Sequence, residues 1–167
     1  MKSAHKKVYM FRVRNPLVVI CVFLWLGFVC AISFMEAWLK FEAPGITLPL
    51  GLGIGRLVFS ALNAIEWVFA IAIVLNYVFR RIRKPNYKMI FLVIPLMILT
   101  LQTLELLPEL DVRAEKVIRG EDPGLSNAHN YYVILEALKV ISLFVFGTGL
   151  FISRKVRAFK VSTQTTG

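Results

Sequence analysis

At 167 residues, 57% of them hydrophobic and with a mean hydropathy of +0.69, the chain has room for one domain and is too apolar to be an ordinary soluble one. The formal charge of +10 would suit nucleic acid, but Lys and Arg fall in three short blocks beside apolar runs and form no stripe on a polar domain, which excludes that partner. Basic blocks flanking apolar spans instead follow the positive-inside bias and suit anionic lipid headgroups.

The chain opens with a basic segment, residues 1–15, followed by an apolar run from Pro16 to Met35 without a charge. A secretory signal would begin the same way, but its apolar part is about 7 to 15 residues long. This run is long enough to cross a bilayer core, so it is read as an uncleaved first helix, residues 16–35. Cys21 and Cys30 both lie in it, too far apart on one helix to pair, and are read as small lipid-facing or packing residues.

The segment from Glu36 to Arg56 is too apolar for a solvated loop and is expected at the membrane interface or folded back into the bundle; Pro44-Gly45 marks a break, and Thr47 with Pro49 suits a helix start. Gly51, Gly53 and Gly55 follow no strand, so no nucleotide loop is read here. Gly51 and Gly55 have the small-xxx-small spacing that allows close packing. The second span, residues 57–79, carries Asn63, Glu66 and Asn76, yet its Leu, Ile, Val and Phe content outweighs the roughly 3 kcal/mol cost of one central charge. The third, residues 89–107, is short, with Pro95 in its middle. Residues 108–130 form a loop, with a short helix expected around Asp111 to Arg119. The fourth span, residues 131–152, is interrupted by Glu136 and Lys139, and residues 153–167 form a basic tail. There is no internal repeat of the kind that marks many transporters.

Orientation follows from the cations. Lys2, Lys6, Lys7, Arg12 and Arg14 precede the first span; Arg80, Arg81, Arg83, Lys84 and Lys88 join the second to the third; Arg154, Lys155, Arg157 and Lys160 follow the fourth. All three blocks are assigned to the cytoplasmic side. The fold class is therefore all-α: an integral membrane four-helix bundle with both termini cytoplasmic, and compact loops and short tails suggest a bacterial inner membrane.

Residues three, four and seven apart share a helix face. Polar stripes result: Arg56, Ser60 and Asn63 with Glu66 at the edge; Gln102, Glu105 and Glu109; and His129, Tyr132, Glu136 and Lys139. Lipid cannot solvate them, so they are expected to face one another or a water-filled cavity in the outer half of the bundle. With Glu36 and Lys40 from the end of the first helix, the candidate polar chamber comprises Glu36, Lys40, Arg56, Asn63, Glu66, Glu105, His129, Tyr132, Glu136 and Lys139. Two readings stay open: a functional site, or a network of ion pairs that sets how the helices pack. No metal site and no cofactor are expected, because no second His or Cys stands at ligand spacing from His129. Ser126 is read as a loop serine, Trp38 as an interfacial anchor, and Trp25 and Trp67 as packing residues.

Several short matches carry a family resemblance: Phe41-Glu42-Ala43-Pro44, Gly55-Arg56 followed by Phe59, Leu62-Asn63 and Glu66, Leu107-Pro108, and His129. In these, the stretch from Phe34 to Ile152 resembles the small four-pass membrane family of transmembrane protein 205 and its bacterial relatives, themselves a domain of unknown function. The resemblance implies a fold and a membrane address, with no reaction to carry over. Arg113, Arg119 and His129-Asn130 resemble, more faintly, the site residues of four-helix glutathione-using membrane enzymes.

Three functions are consistent with these features. The first is a membrane protein, not an enzyme, that binds or moves a small solute, proton or lipid headgroup in its polar chamber, with Glu66, Glu136 and Lys139 carrying the site. The second is an accessory subunit with structural charges and a protein partner. The third is a four-helix membrane enzyme, for which no nucleophile with an adjacent base is visible. Transport would be easier to build in a homodimer than in a single four-helix chain.

Overall fold

A computed structural model describes residues 7–13, 15–80 and 89–157 of the chain. Of the cations used to orient it, Lys2, Lys6, Arg14, Arg81, Arg83, Lys84, Lys88 and Lys160 lie outside the described residues. Among the described residues four helices are long and apolar enough to cross a membrane: α1 (Pro16–Glu42), α2 (Leu48–Phe79), α3 (Ile90–Ile118) and α4 (Ala128–Thr148). Each starts where the chain supplies the right chemistry. Asn15 precedes Pro16, whose missing N–H costs nothing in a first turn. Thr47 caps α2, its hydroxyl accepting from the Leu50 N–H, with Pro49 in the first turn. Gly45, at φ +84°, makes the turn between α1 and α2 in a conformation that favours glycine. Gly120 closes α3: its own N–H reaches the Val117 carbonyl and that of Glu121 reaches Lys116, a Schellman arrangement.

Packing runs around a square. Helix α1 lies against α2 and α4, and α3 lies against the same two, so α2 and α4 face each other across the diagonal. The inward stripe of α1 is Val18, Val22, Trp25 and Val29, and that of α4 includes Tyr132, Glu136, Lys139, Leu143 and Phe146. Steps of four and three residues along both stripes are the seam of an antiparallel bundle. At the end holding Val18, Ile73, Leu92 and Phe146 the interior is apolar. The opposite, distal end holds the polar stripes and the α1–α2 and α3–α4 connections. Large apolar side chains such as Leu57, Phe79, Met97 and Leu104 point outward and are exposed; continuous apolar cover of this extent suits lipid rather than water.

The helices differ in length from the sequence reading. The first extends from the expected Met35 to Glu42, and the second begins at Leu48 rather than at residue 57, so the apolar segment between them is helix with a tight turn. The third runs on through the expected loop to Ile118, absorbing the short helix placed around Asp111. The fourth spans Ala128–Thr148 rather than 131–152; just before it Ser126 Oγ accepts from the Ala128 N–H, and the chain leaves it at Gly149. Two of these helices contain a wide π turn, Cys30–Glu36 in α1 and Gln102–Leu106 in α3, where the Ala37 and Leu107 N–H groups bond to carbonyls five residues back.

Outside the bundle, β1 (Lys7–Val13) and β2 (Phe151–Arg157) pair antiparallel, Lys7 opposite Arg157 and Val13 opposite Phe151. Both segments, read from sequence as basic flanks, are rich in β-branched and aromatic residues that favour strands. Their pairing puts both ends of the bundle's chain at its apolar end, as an even number of antiparallel helices requires.

Candidate functional site

Every helix contributes to one buried polar cluster at mid-depth. Lys139 on α4 is fully buried, about 16 Å along the helix from Ala128 at 1.5 Å per residue. Its Nζ donates to Glu66 Oε1 across the diagonal at 2.5 Å and to Glu136 Oε1 one turn away at 3.0 Å. From α1 the Trp25 indole donates to the same Glu66 oxygen at 2.7 Å, and from α3 the Gln102 amide donates to the same Glu136 oxygen at 2.9 Å. Trp25, read from sequence as packing alone, is thus also a hydrogen-bond donor. Nothing in the sequence separates the two roles, because a buried indole fills space in either case.

The hydrogen bonds of this cluster do not close. Two carboxyl groups share one ammonium, each through a single oxygen, and the Tyr132 hydroxyl also approaches Glu136. Among the described residues Glu66 Oε2, Glu136 Oε2 and Gln102 Oε1 have no well-aligned hydrogen-bond partner. Buried acceptors of this kind are costly when left unmet. A donor arriving from outside the protein would relieve that cost.

Open space adjoins the cluster. A cavity of about 710 Å³ lies between α1, α2, α3 and α4 in the distal half, with Glu136 and Ser33 in its wall. The hydroxyl of Ser33 is also buried and without a partner. The π turns shape this space, one supplying Ser33 to the cavity and the other presenting Thr103 to it and Gln102 to the cluster. Asn63 Nδ2 and Trp67 Nε1 both donate to Thr103 Oγ1, at 2.9 and 3.0 Å, which ties α2 to α3 at the cavity edge. Four large aromatic side chains stand in the walls, Trp38, Phe41, Phe59 and Tyr132, the last meeting Phe59 edge to face at 5.6 Å.

Two cations stand near the mouth, and both are engaged. Arg56 forks onto Asp111, with Nε to Oδ1 at 2.5 Å and Nη2 to Oδ2 at 3.0 Å, and also donates to Glu115. Asp111 and Glu115 were not among the candidates; they belong here because α3 continues past Leu107 and brings its second half against α2. Lys40 donates to Glu36 at 3.2 Å, and its Nζ lies 5.5 and 5.6 Å from the ring centres of Phe41 and Phe59. The glycines permit this. The Phe41 ring rests where a Cβ of Gly51 would be, and Lys40 Nζ lies 3.1 Å from the corresponding point on Gly55. The small-xxx-small pair accommodates side chains of the α1 end rather than a helix backbone.

Of the ten candidates, Lys40, Arg56, Asn63, His129, Tyr132 and Glu136 line the cavity, Glu66 and Lys139 lie beneath it, and Glu36 is joined through Lys40. Glu105 is not there. It is exposed on the outer surface beside Val93, Leu96 and Met97, because the π turn it sits in is wider than an α turn and swings it away from the inward face of Gln102. Glu109 accepts from Ser126 at the helix end instead of entering the cavity. Arg113 and Arg119, the arginines that resembled a glutathione site, hold the α3–α4 loop carbonyls of Pro123 and Gly124 and the side chain of Glu115. Among the described residues no group of three His, Cys, Asp or Glu is placed to hold a metal ion. Compared with known proteins, the chain matches no family model, no curated protein and no solved structure.

Proposed function

We propose that the chain is an integral membrane protein that binds, and in a suitable assembly moves, a small solute through its distal chamber. One observation carries the reading: a cavity of about 710 Å³ ends on fully buried Glu136, one of whose oxygens has no partner. That volume lies within the roughly 300–1,000 Å³ of small-molecule pockets, and apolar walls with a few polar groups are their usual lining. A purely architectural cluster would be expected to close its own hydrogen bonds. Of the residues that carry the resemblance to the transmembrane protein 205 family, Phe41, Gly55, Arg56, Phe59, Asn63, Leu107, Pro108 and His129 line the cavity. Membership of that family is part of the proposal and rests on those sequence matches alone. In this reading the distal end faces outward, the ribbon end with its basic residues meets anionic lipid on the cytoplasmic side, and the membrane is a bacterial inner membrane.

Native mass spectrometry from mild detergent tests this directly. A bound mass on the wild type, lost from folded Glu136→Gln and Glu66→Gln variants, is the expected result; a wild type carrying only lipid and detergent refutes it. The second reading, an accessory subunit, is favoured by one feature: the cluster draws a side chain from each of the four helices, as a packing device would. It expects the same variants to lose stability with no bound mass in any of them.

A further inference from the structure

The chemistry of the chamber is selective for charge. Arg56 is held by two carboxylates, and Lys40 by Glu36 and two aromatic rings, so neither cation is free to receive an anion. Below them, Glu66 and Glu136 share the single ammonium of Lys139, so acidic groups outnumber basic ones in that trio. The oxygen nearest to resolving this, Glu136 Oε2, belongs to a residue that is 0% exposed to solvent and stands in the cavity wall with the unpartnered hydroxyl of Ser33. The rings above it already hold one ammonium, that of Lys40, at cation–π distance. A metal ion is a poor fit, since it asks for several oxygens at once and among the described residues no three His, Cys, Asp or Glu stand together.

We infer that the chamber takes an organic cation, a protonated amine on an apolar body, whose ammonium donates to Glu136 Oε2 and whose body lies against Phe59, Phe41 and Tyr132. This rests on the chamber being a binding site and names the class of molecule bound there. Charge-assisted hydrogen bonding in a dry site, backed by aromatic faces, separates an amine from its neutral isostere by about tenfold or more.

The test uses three probes of one shape, phenylbutylamine, phenylbutanol and phenylbutyrate, titrated calorimetrically at neutral pH into the full chain in lipid nanodiscs, with empty nanodiscs subtracted. The amine is expected to bind at least about tenfold more tightly than the alcohol, and the carboxylate not at all. Glu136→Gln should bring amine and alcohol together, whereas Glu105→Gln, on the outer surface, should leave their ratio unchanged. The comparison of probes on the wild type needs no variant to fold. Equal affinity for amine and alcohol, preference for the carboxylate, an unchanged ratio in a folded Glu136→Gln protein, or no binding of any probe overturns the inference. If no probe binds while native mass spectrometry still finds a mass that Glu136→Gln loses, only the cation class fails. If that mass is missing as well, the chamber fails as a site.

Discussion

Replacing Lys139 by Met should cost far more stability than replacing Glu66 by Gln, and the difference comes from counting charges. Lys139 is fully buried and is the ammonium that Glu66 and Glu136 share, at 2.5 and 3.0 Å. Met fills nearly the same volume, so the loss is electrostatic: two carboxylates are left without a cation in the middle of the bundle. Removing one partner of a buried ion pair typically costs about 3–5 kcal/mol. Glu66→Gln has the opposite effect on the balance, leaving one ammonium facing one carboxylate, while the Gln amide oxygen can still accept from Trp25 and Lys139. Its cost is about 1–2 kcal/mol, the scale of a weakened hydrogen bond to a charged group. Equilibrium unfolding in mixed micelles of mild detergent and dodecyl sulfate, followed by tryptophan fluorescence, reads both values. A triple variant with Lys139→Met, Glu66→Gln and Glu136→Gln should recover most of the loss, since neutral groups of similar volume replace the whole cluster. If Lys139→Met costs less than about 1 kcal/mol, or Glu66→Gln costs as much as it does, the three side chains do not form the coupled charge cluster described here.

Two further perturbations probe the chamber's walls. Gly51→Ala sets a methyl group against the Phe41 ring, whereas Gly53→Ala meets nothing within 4 Å; the first should destabilise by about 1–2 kcal/mol through overpacking and the second be neutral or stabilise by up to about 1 kcal/mol. Equal effects of the two in the same unfolding assay would refute the close contact. Arg56→Lys keeps the charge but loses the fork onto Asp111 and Glu115, so amide exchange across Leu107–Ile118 should quicken while exchange at the ribbon end stays unchanged. Unaltered protection of that segment would mean that packing alone holds it.

Much of the architecture was determined by the sequence itself. Runs such as Pro16 to Met35 are too long and too apolar for anything but a membrane-length helix, and periodicity alone placed Tyr132, Glu136 and Lys139 on one face of the fourth. What one helix's period cannot supply is the rotation of each helix relative to its neighbours. That decided that Lys139 reaches Glu66 across the diagonal, that Trp25 donates to the same oxygen, and that Gln102 does the same for Glu136. The length of the helices was hidden for a related reason: the segments after Glu36 and Leu107 are helical because they pack on α2, and that packing brings Asp111 and Glu115 to Arg56 and Lys40 to the aromatic pair. The π turn at Gln102–Leu106 then broke the face that spacing had drawn through Gln102 and Glu105, burying one residue and exposing the other. Spacing counts residues per turn as constant; in the folded chain the turn widened, and only the tertiary structure shows where.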